Sequence, residues 1–313
     1  MARLPNALSS SSQKAYLAKF RVFIALAVFL GWDIHQVNSL SILTFLEFLT
    51  YNAISPANLC NYLTAVKTMF VLYGLPTKAF EDPRISYYVK STRKLAPLRV
   101  TLRQVFTTDM LLDLCKACDS TPNGKIFKAA YLLGFFAFLR LANLVPHARK
   151  DFSIIKHLCR GDIIFKENRA IVMIKWSKTL QSKNTIRLIS VPRLGSVICP
   201  VAALKKLLKI SPGDNNTPLF QILVGRAWFP LTDSAVRKHL KWCLSLADLS
   251  PSLTFHALGR SGATFAFNHN VSLQNIKRHG TWTSDCVWRY IVDSHDAGQG
   301  VSENFKKILD HTS

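Results

Sequence analysis

The chain has 313 residues, 49% of them hydrophobic, with a mean hydropathy of +0.15, which suffices for one large or two ordinary domains and excludes a largely disordered polymer. Its 40 Lys and Arg against 18 Asp and Glu give a formal charge of +22, a self-repulsion that a polyanionic partner would relieve. The most apolar run, Val22 to Trp32, is roughly half the length of a bilayer span and is closed by Arg21 and Asp33, and no secretory signal pattern is visible, so the expectation is no membrane and a nuclear or cytoplasmic protein.

Residues 1 to about 80 read as helical. Ser9 to Ser12 offer a helix cap, and Tyr16, Phe20, Phe23, Ile24 and Ala27 follow helical spacing. Further helices are predicted over Ile42 to Tyr51 and Ala57 to Tyr73, the latter capped by Ser55-Pro56 and stopped by Gly74 and Pro76. Four or five such helices make a small bundle. From Arg84 to Arg103 the chain carries Arg84, Lys90, Arg93, Lys94, Arg99 and Arg103 with no acidic residue, interrupted by Pro83 and Pro97. This stretch reads as a solvated connection that could strap a phosphate backbone, and a domain boundary is placed near residue 95.

The second domain, residues 96–313, opens with the capping signal Thr107-Thr108-Asp109 before the helical MLLDLCKACD. Lys128 to Leu141 is predicted as one long buried helix. Asp162 to Phe165, Ala170 to Trp176 and Thr185 to Val191 are β-rich, with turns at Lys166 to Asn168 and Lys178 to Asn184, and predict a small antiparallel sheet. Helices follow over Val201–Lys209, Asp233–Ala247, Phe255–Asn268, Leu273–Arg278 and Asp285–Ile291. Seven cysteines, Cys60, Cys115, Cys118, Cys159, Cys199, Cys243 and Cys286, are scattered through core-like segments and fit reduced thiols. Cys115 and Cys118 form a C-x-x-C with no second pair, which reads as a buried helical face rather than a zinc or redox motif.

Three far-apart segments hold an ordered set of residues: Arg140 in GFFAFLRLANLVP, Lys178 in IKWSKTLQS, and His256, Trp282 and Tyr290 in FHALGRSGATFAFNHNVSLQNIKRHGTWTSDCVWRYI. Attack on a phosphodiester places negative charge on the non-bridging oxygens, which the planar fork of arginine binds two at a time. A lysine on a hairpin can protonate the leaving oxygen, and a tyrosine becomes a nucleophile where neighbouring cations favour its phenolate. Such chemistry needs no metal or other cofactor. No carboxylate cluster suited to a two-metal nuclease is evident in the sequence.

These segments resemble tyrosine recombinases of the phage-integrase family, in the form carried by eukaryotic DIRS and Crypton mobile elements. There the first motif often reads FLRxSNLVP, here FLRLANLVP. The last reads HSFRRGGATFAF…IKxxGDWxSDAxxxYL, here HALGRSGATFAFNHNVSLQNIKRHGTWTSDCVWRYI. The resemblance covers residues 128–291, and residues 10–95 are compatible with the helical core-binding domain that precedes the catalytic one in that family.

The resemblance implies a mainly α two-domain clamp with an α+β catalytic domain, double-stranded DNA as partner, a tetramer on paired sites, and strand exchange through a 3′-phosphotyrosine. It assigns Arg140 as the first arginine, Lys178 as the hairpin lysine, His256 as the histidine of H-x-x-R and Tyr290 as the nucleophile. Two departures follow. Gly259 stands where the second arginine belongs, with Arg260 beside it as a candidate substitute. At the His/Trp position, spacing favours Thr281 and chemistry favours Trp282, with His279 a third choice. The alternative function is a DNA-binding remnant, impaired in cleavage by Gly259.

Overall fold

The computed structural model describes residues 8–97, 104–176, 186–280, 282 and 285–292. It divides into two compact units, residues 1–101 and 102–313.

The first unit is a bundle of α1 (Ser10–Phe29), α2 (Ser39–Tyr51), α3 (Pro56–Tyr73) and α4 (Pro83–Leu95). Each start has a local cause. The Ser9 side chain accepts from the Ser12 amide, a capping box of Asn38 and Ser41 starts α2 three residues earlier than predicted, and Pro56 fills the first position of α3. Gly74, at φ 70°, ends α3 in the left-handed conformation that glycine tolerates. An aromatic core of Phe20, Phe23, Phe45 and Phe70 packs edge to face, with Phe23 and Phe45 centroids 5.1 Å apart.

The basic connection differs from its sequence reading. Pro83 does not interrupt a loop; it is the first residue of α4, with Asp82 as N-cap accepting from the Arg84 amide. Ile85 and Val89, four apart, bury one face of α4 in the bundle. Arg84, Lys90, Arg93 and Lys94 stay exposed on its other faces. Arg99 and Arg103 lie outside the described residues.

The second unit starts at α5 (Thr108–Ala117), capped by Thr107, and continues into α6 (Pro122–Phe136), capped by Thr121 with Pro122 at its first position. The single helix expected over Lys128–Leu141 breaks at Phe136. Phe138 takes φ 53°, and the chain re-enters a short α7 (Leu141–Leu144). A three-stranded antiparallel sheet follows, in the order β1 (Ile163–Phe165), β2 (Arg169–Ile174), β3 (Arg187–Pro192). Ala170, Val172 and Ile174 alternate inward from β2, with Val172 paired to Ile163 on one side and Ile189 on the other.

After α8 (Pro200–Ile210) comes a hairpin of β4 (Gln221–Val224) and β5 (Ala227–Pro230), turning at Gly225 with φ 60°. That hairpin was not anticipated. Helices α9 (Asp233–Leu246), α10 (Phe255–Asn268) and α11 (Leu273–His279) complete the unit, and Asp285–Arg289 forms a 3-10 turn rather than an α-helix. The main core gathers α5, α6, α8, α9 and the sheet around Tyr131, Phe220 and Phe255. A smaller apolar cluster holds Ala263, Ile276, Trp282, Val287, Tyr290 and Ile291. Among the described residues no helix is long and apolar enough to cross a membrane.

Candidate active site

The break after α6 positions the first candidate residue. Arg140 does not end a helix, as its apolar context suggests. It sits in extended backbone (φ −80°, ψ 149°) as N-cap of α7. From there its guanidinium Nε donates to the Tyr290 hydroxyl at 3.1 Å across 150 residues of sequence, with Cζ 5.9 Å from the ring centroid. Asn143, buried on α7, donates to the Trp176 carbonyl at 2.9 Å and so ties the Arg140 segment to the end of β2. The chain leaves β2 there towards Lys178, which lies outside the described residues.

Helix α10 supplies the second side. His256, in its first turn, sets its ring against Tyr290 with centroids 5.0 Å apart at 66°. Burial, then the charge of Arg260 and then that of Arg140, holds the imidazole below its ordinary pKa. The ring is therefore neutral at neutral pH and able to accept a proton. Arg260 lies close enough to His256 to act on it electrostatically, and its Nη1 donates at 3.4 Å to the Gln104 carbonyl.

Gly259 faces α6. A Cβ there would stand 3.3 Å from the carbonyl carbon and oxygen of Phe138 and 3.5 Å from the Gly134 oxygen. One turn on, a Cβ at Gly262 would overlap the Phe135 carbonyl oxygen. The two glycines let the backbones of α10 and α6 approach, which places His256 and Arg140 on either side of one phenol.

The third side is the segment after α11. His279 Nε2 bonds the Phe136 carbonyl at 2.8 Å, and burial holds its pKa down as well. The nitrogen thus serves the backbone where α6 ends. Trp282 is anchored by its amide to the Lys277 carbonyl at 2.9 Å, stacks on Phe138 (centroids 6.0 Å apart) and lies tilted against Tyr290 (4.5 Å, 47°). Its indole N–H is buried with no hydrogen-bond partner among the described residues. Such a donor costs about 1–3 kcal/mol unless something meets it. Of the three choices for this position, Trp282 touches Tyr290, His279 is committed to Phe136, and Thr281 lies outside the described residues.

Tyr290 itself is held by its backbone. Thr264, buried on α10, donates from Oγ1 to the Tyr290 carbonyl (3.2 Å) and accepts from the Val292 amide (3.1 Å). Thr264 and Asn143 were missed in the sequence. Their only signal is a small polar side chain on an otherwise apolar helical face.

Three of the α4 cations have local contacts. Arg84 forms a salt bridge with Asp82 at 2.7 Å, and that bond holds the Asp82 carboxyl far below the usual range. Lys90 lies 5.3 Å from the Tyr87 ring centroid, and Arg93 Nη2 is 3.0 Å from Cys60 Sγ. Arg84 therefore has a local role at the helix start that the strap reading did not foresee.

Neither a protein-family model nor a curated protein matches the chain. Solved structures do. The XerH site-specific recombinase bound to palindromic difH substrate, in a post-cleavage complex, is 14% identical with TM-score 0.65, covering 94% of this chain and 80% of that one. The Tn1549 transposon integrase in complex with circular intermediate DNA is 11% identical with TM-score 0.58, covering 86% of each chain. A lambda integrase tetramer bound to a Holliday junction is 15% identical with TM-score 0.56, covering 91% of this chain and 76% of that one. At these identities the likeness shows the fold alone: mainly helical with small antiparallel sheets, as in those integrases and that recombinase.

Proposed function

We propose that the chain is a DNA strand transferase whose nucleophile is Tyr290. The observation that carries this is the 3.1 Å contact of Arg140 with the Tyr290 hydroxyl, with His256 against the same ring, in a fold whose solved relatives are held on DNA. The phenolic oxygen attacks phosphorus, a 3′-phosphotyrosine forms, and the 5′ oxygen departs with a proton that the hairpin lysine Lys178 would supply. Neutral His256 takes the phenol's proton or directs the phosphate. Arg140 turns its fork from the phenol to the non-bridging oxygens. The unmet indole N–H of Trp282 finds an acceptor when phosphate enters and the segment shifts. Exposed cations of α4, with Arg99 and Arg103, grip the backbone. Two further readings belong here: assembly as a tetramer on paired sites, and derivation from a eukaryotic DIRS- or Crypton-type element, acting in the nucleus. The first draws on the lambda integrase assembly and the second on the FLRLANLVP and HALGRSGATFAF motifs.

A second reading is favoured by Gly259. The α6–α10 crossing is packed around a residue with no side chain, so the second arginine is replaced by a close backbone approach, and the protein grips DNA but cleaves weakly. Losing one donor to a developing oxyanion typically costs about 10²–10³ in rate. One experiment tests both readings. Nicked duplexes of randomised sequence are incubated with the full chain, and covalent protein–DNA adducts are isolated. Adduct formation that is lost in Tyr290→Phe supports the transferase. Binding without adduct, followed by adduct from Gly259→Arg, supports the remnant. Adduct unchanged by Gly259→Arg but abolished by Arg260→Ala would show that Arg260 already takes the place of the second arginine.

A further inference from the structure

A second constellation lies outside the residues assigned to strand transfer. Cys118 caps the C-terminus of α5, and its sulfur is 4.0 Å from Cys243 Sγ on α9. Cys243 Sγ is in turn 3.4 Å from Nδ1 of His239, one helical turn earlier. The donor atoms of all three residues fall within 4.8 Å of one another, and both cysteines are buried. Their spacing on α9, i and i+4, puts His239 and Cys243 on one face.

The geometry suits a tetrahedral ion. With zinc–sulfur and zinc–nitrogen bonds of about 2.3 and 2.0–2.1 Å, the tetrahedral edges are roughly 3.8 Å between sulfurs and roughly 3.6 Å between sulfur and nitrogen. The two separations in the protein, 4.0 and 3.4 Å, each lie within about 0.2 Å of those edges. A disulfide would instead bring the sulfurs to about 2.05 Å, half their present separation. Cys115, the other half of the C-x-x-C, is not in the group, so the motif misplaces the partner: it comes from α9, 125 residues away.

The surroundings fix the imidazole. His239 stacks on Phe127 with centroids 3.8 Å apart at 11°, and fully buried Tyr131 places its hydroxyl 2.8 Å from the same Nδ1. Tyr131 Oη is a neighbouring oxygen for a fourth position, directly or through water.

We propose that Cys118, His239 and Cys243 bind one zinc ion that clips α5 to α9. Two thiolates and a neutral imidazole form the soft S₂N set that zinc prefers, and binding releases the two thiol protons to solvent. The clip closes a long chain loop, where a crosslink removes the most entropy from the unfolded state. Its role is structural and independent of the Tyr290 chemistry.

The test uses the full-length protein, reduced, stripped with a chelator and given zinc alone. The expected results are one zinc per chain, two thiols newly protected from a thiol reagent, and a raised melting temperature. With cobalt in its place, thiolate-to-metal charge transfer and tetrahedral d–d bands should appear. Cys243→Ser and His239→Asn should each lower zinc affinity by more than the roughly 10- to 100-fold that losing a supporting hydrogen bond costs. Cys60→Ser should bind as the unmodified chain does. If either ligand variant fails to fold, the cobalt spectrum of the unmodified protein still decides. Absence of thiolate bands there, zinc binding unchanged in both variants, or a Cys118–Cys243 disulfide in the freshly purified, metal-free chain would each overturn the proposal.

Discussion

The hydroxyl of Thr264 donates to the Tyr290 carbonyl and accepts from the Val292 amide, so one side chain on α10 sets the backbone on both sides of the phenol. Thr264→Val keeps the shape and strands both backbone groups, at a cost of about 1–3 kcal/mol. Adduct formation should fall while DNA affinity in a gel shift stays unchanged; an equal loss of both would mean a general fold defect instead. The glycines make a paired test. Gly262→Ala should destabilise by about 1–3 kcal/mol in urea unfolding, because its methyl would run into the Phe135 carbonyl oxygen, which cannot give, and into the edge of the Phe138 ring. Gly259→Ala should cost less, since up to about 1 kcal/mol of helix propensity offsets a contact only a few tenths of an ångström too tight. Arg140, His256 and Tyr290 could be singled out in the sequence because they stand in FLRLANLVP and HALGRSGATFAF…VWRYI, which resemble recombinase motifs; taken alone they read as a helix cap, a core histidine and a buried tyrosine. Thr264 and Asn143 could not, since a small polar residue on a helix reads as neutral until its partner, 26 or 33 residues away, is known.

Among the elements, α4 shows how local signals can be misassigned. A proline after an aspartate marks a helix start as readily as a break, and the run of cations hid the Ile85 and Val89 stripe. On the helical wheel Lys94 lies opposite that stripe, Lys90 and Arg84 stand about 120° to either side of it, and Arg93 is on its flank. Replacing Lys90, Arg93 and Lys94 by alanine should weaken binding on all DNA sequences alike and reduce the salt slope by about 0.9 for each phosphate no longer neutralised. A slope that does not move would remove α4 from the DNA-binding surface. The α6 break was hidden for a different reason. Apolar periodicity runs on through Phe138 to Leu141, and nothing local announces that Phe138 adopts φ 53°. The close approach of α10 at Gly259 and Gly262 sets that bend, and it is a tertiary cause.

For the molecule as a whole, burial holds His157, His256 and His279 below the ordinary histidine value. Their folded pKa values lie under the unfolded one, so well above about pH 6.5 these three histidines are unprotonated in both states and add no pH dependence. As the pH falls below that value the unfolded chain takes up protons first, and stability declines until the folded values are passed. Asp82, Asp214 and Asp285 are held below their ordinary 3.8 and contribute only in more acid solution. Urea midpoints should therefore hold from pH 8 to about 7 and drop towards pH 5. His279→Gln, which cannot protonate, should remove part of that drop. A midpoint that rises on mild acidification would contradict this account.

The Tyr290 segment belongs to the smaller apolar cluster, which it shares with Ala263 of α10 and Ile276 of α11, not to the main core of its unit. It is one short turn, fastened through Thr264, Trp282, the Arg140–Tyr290 hydrogen bond, the Lys277–Asp285 salt bridge and a few apolar side chains. Such a piece can open as a separate cooperative unit, at a free energy well under that of global unfolding. In hydrogen exchange the amides of Val287 to Val292 should lose protection long before those of α6, and with the same dependence on Thr264 as the chemistry. The proposed nucleophile thus rides on a latch, which can lift and reseat while the scaffold beneath stays folded.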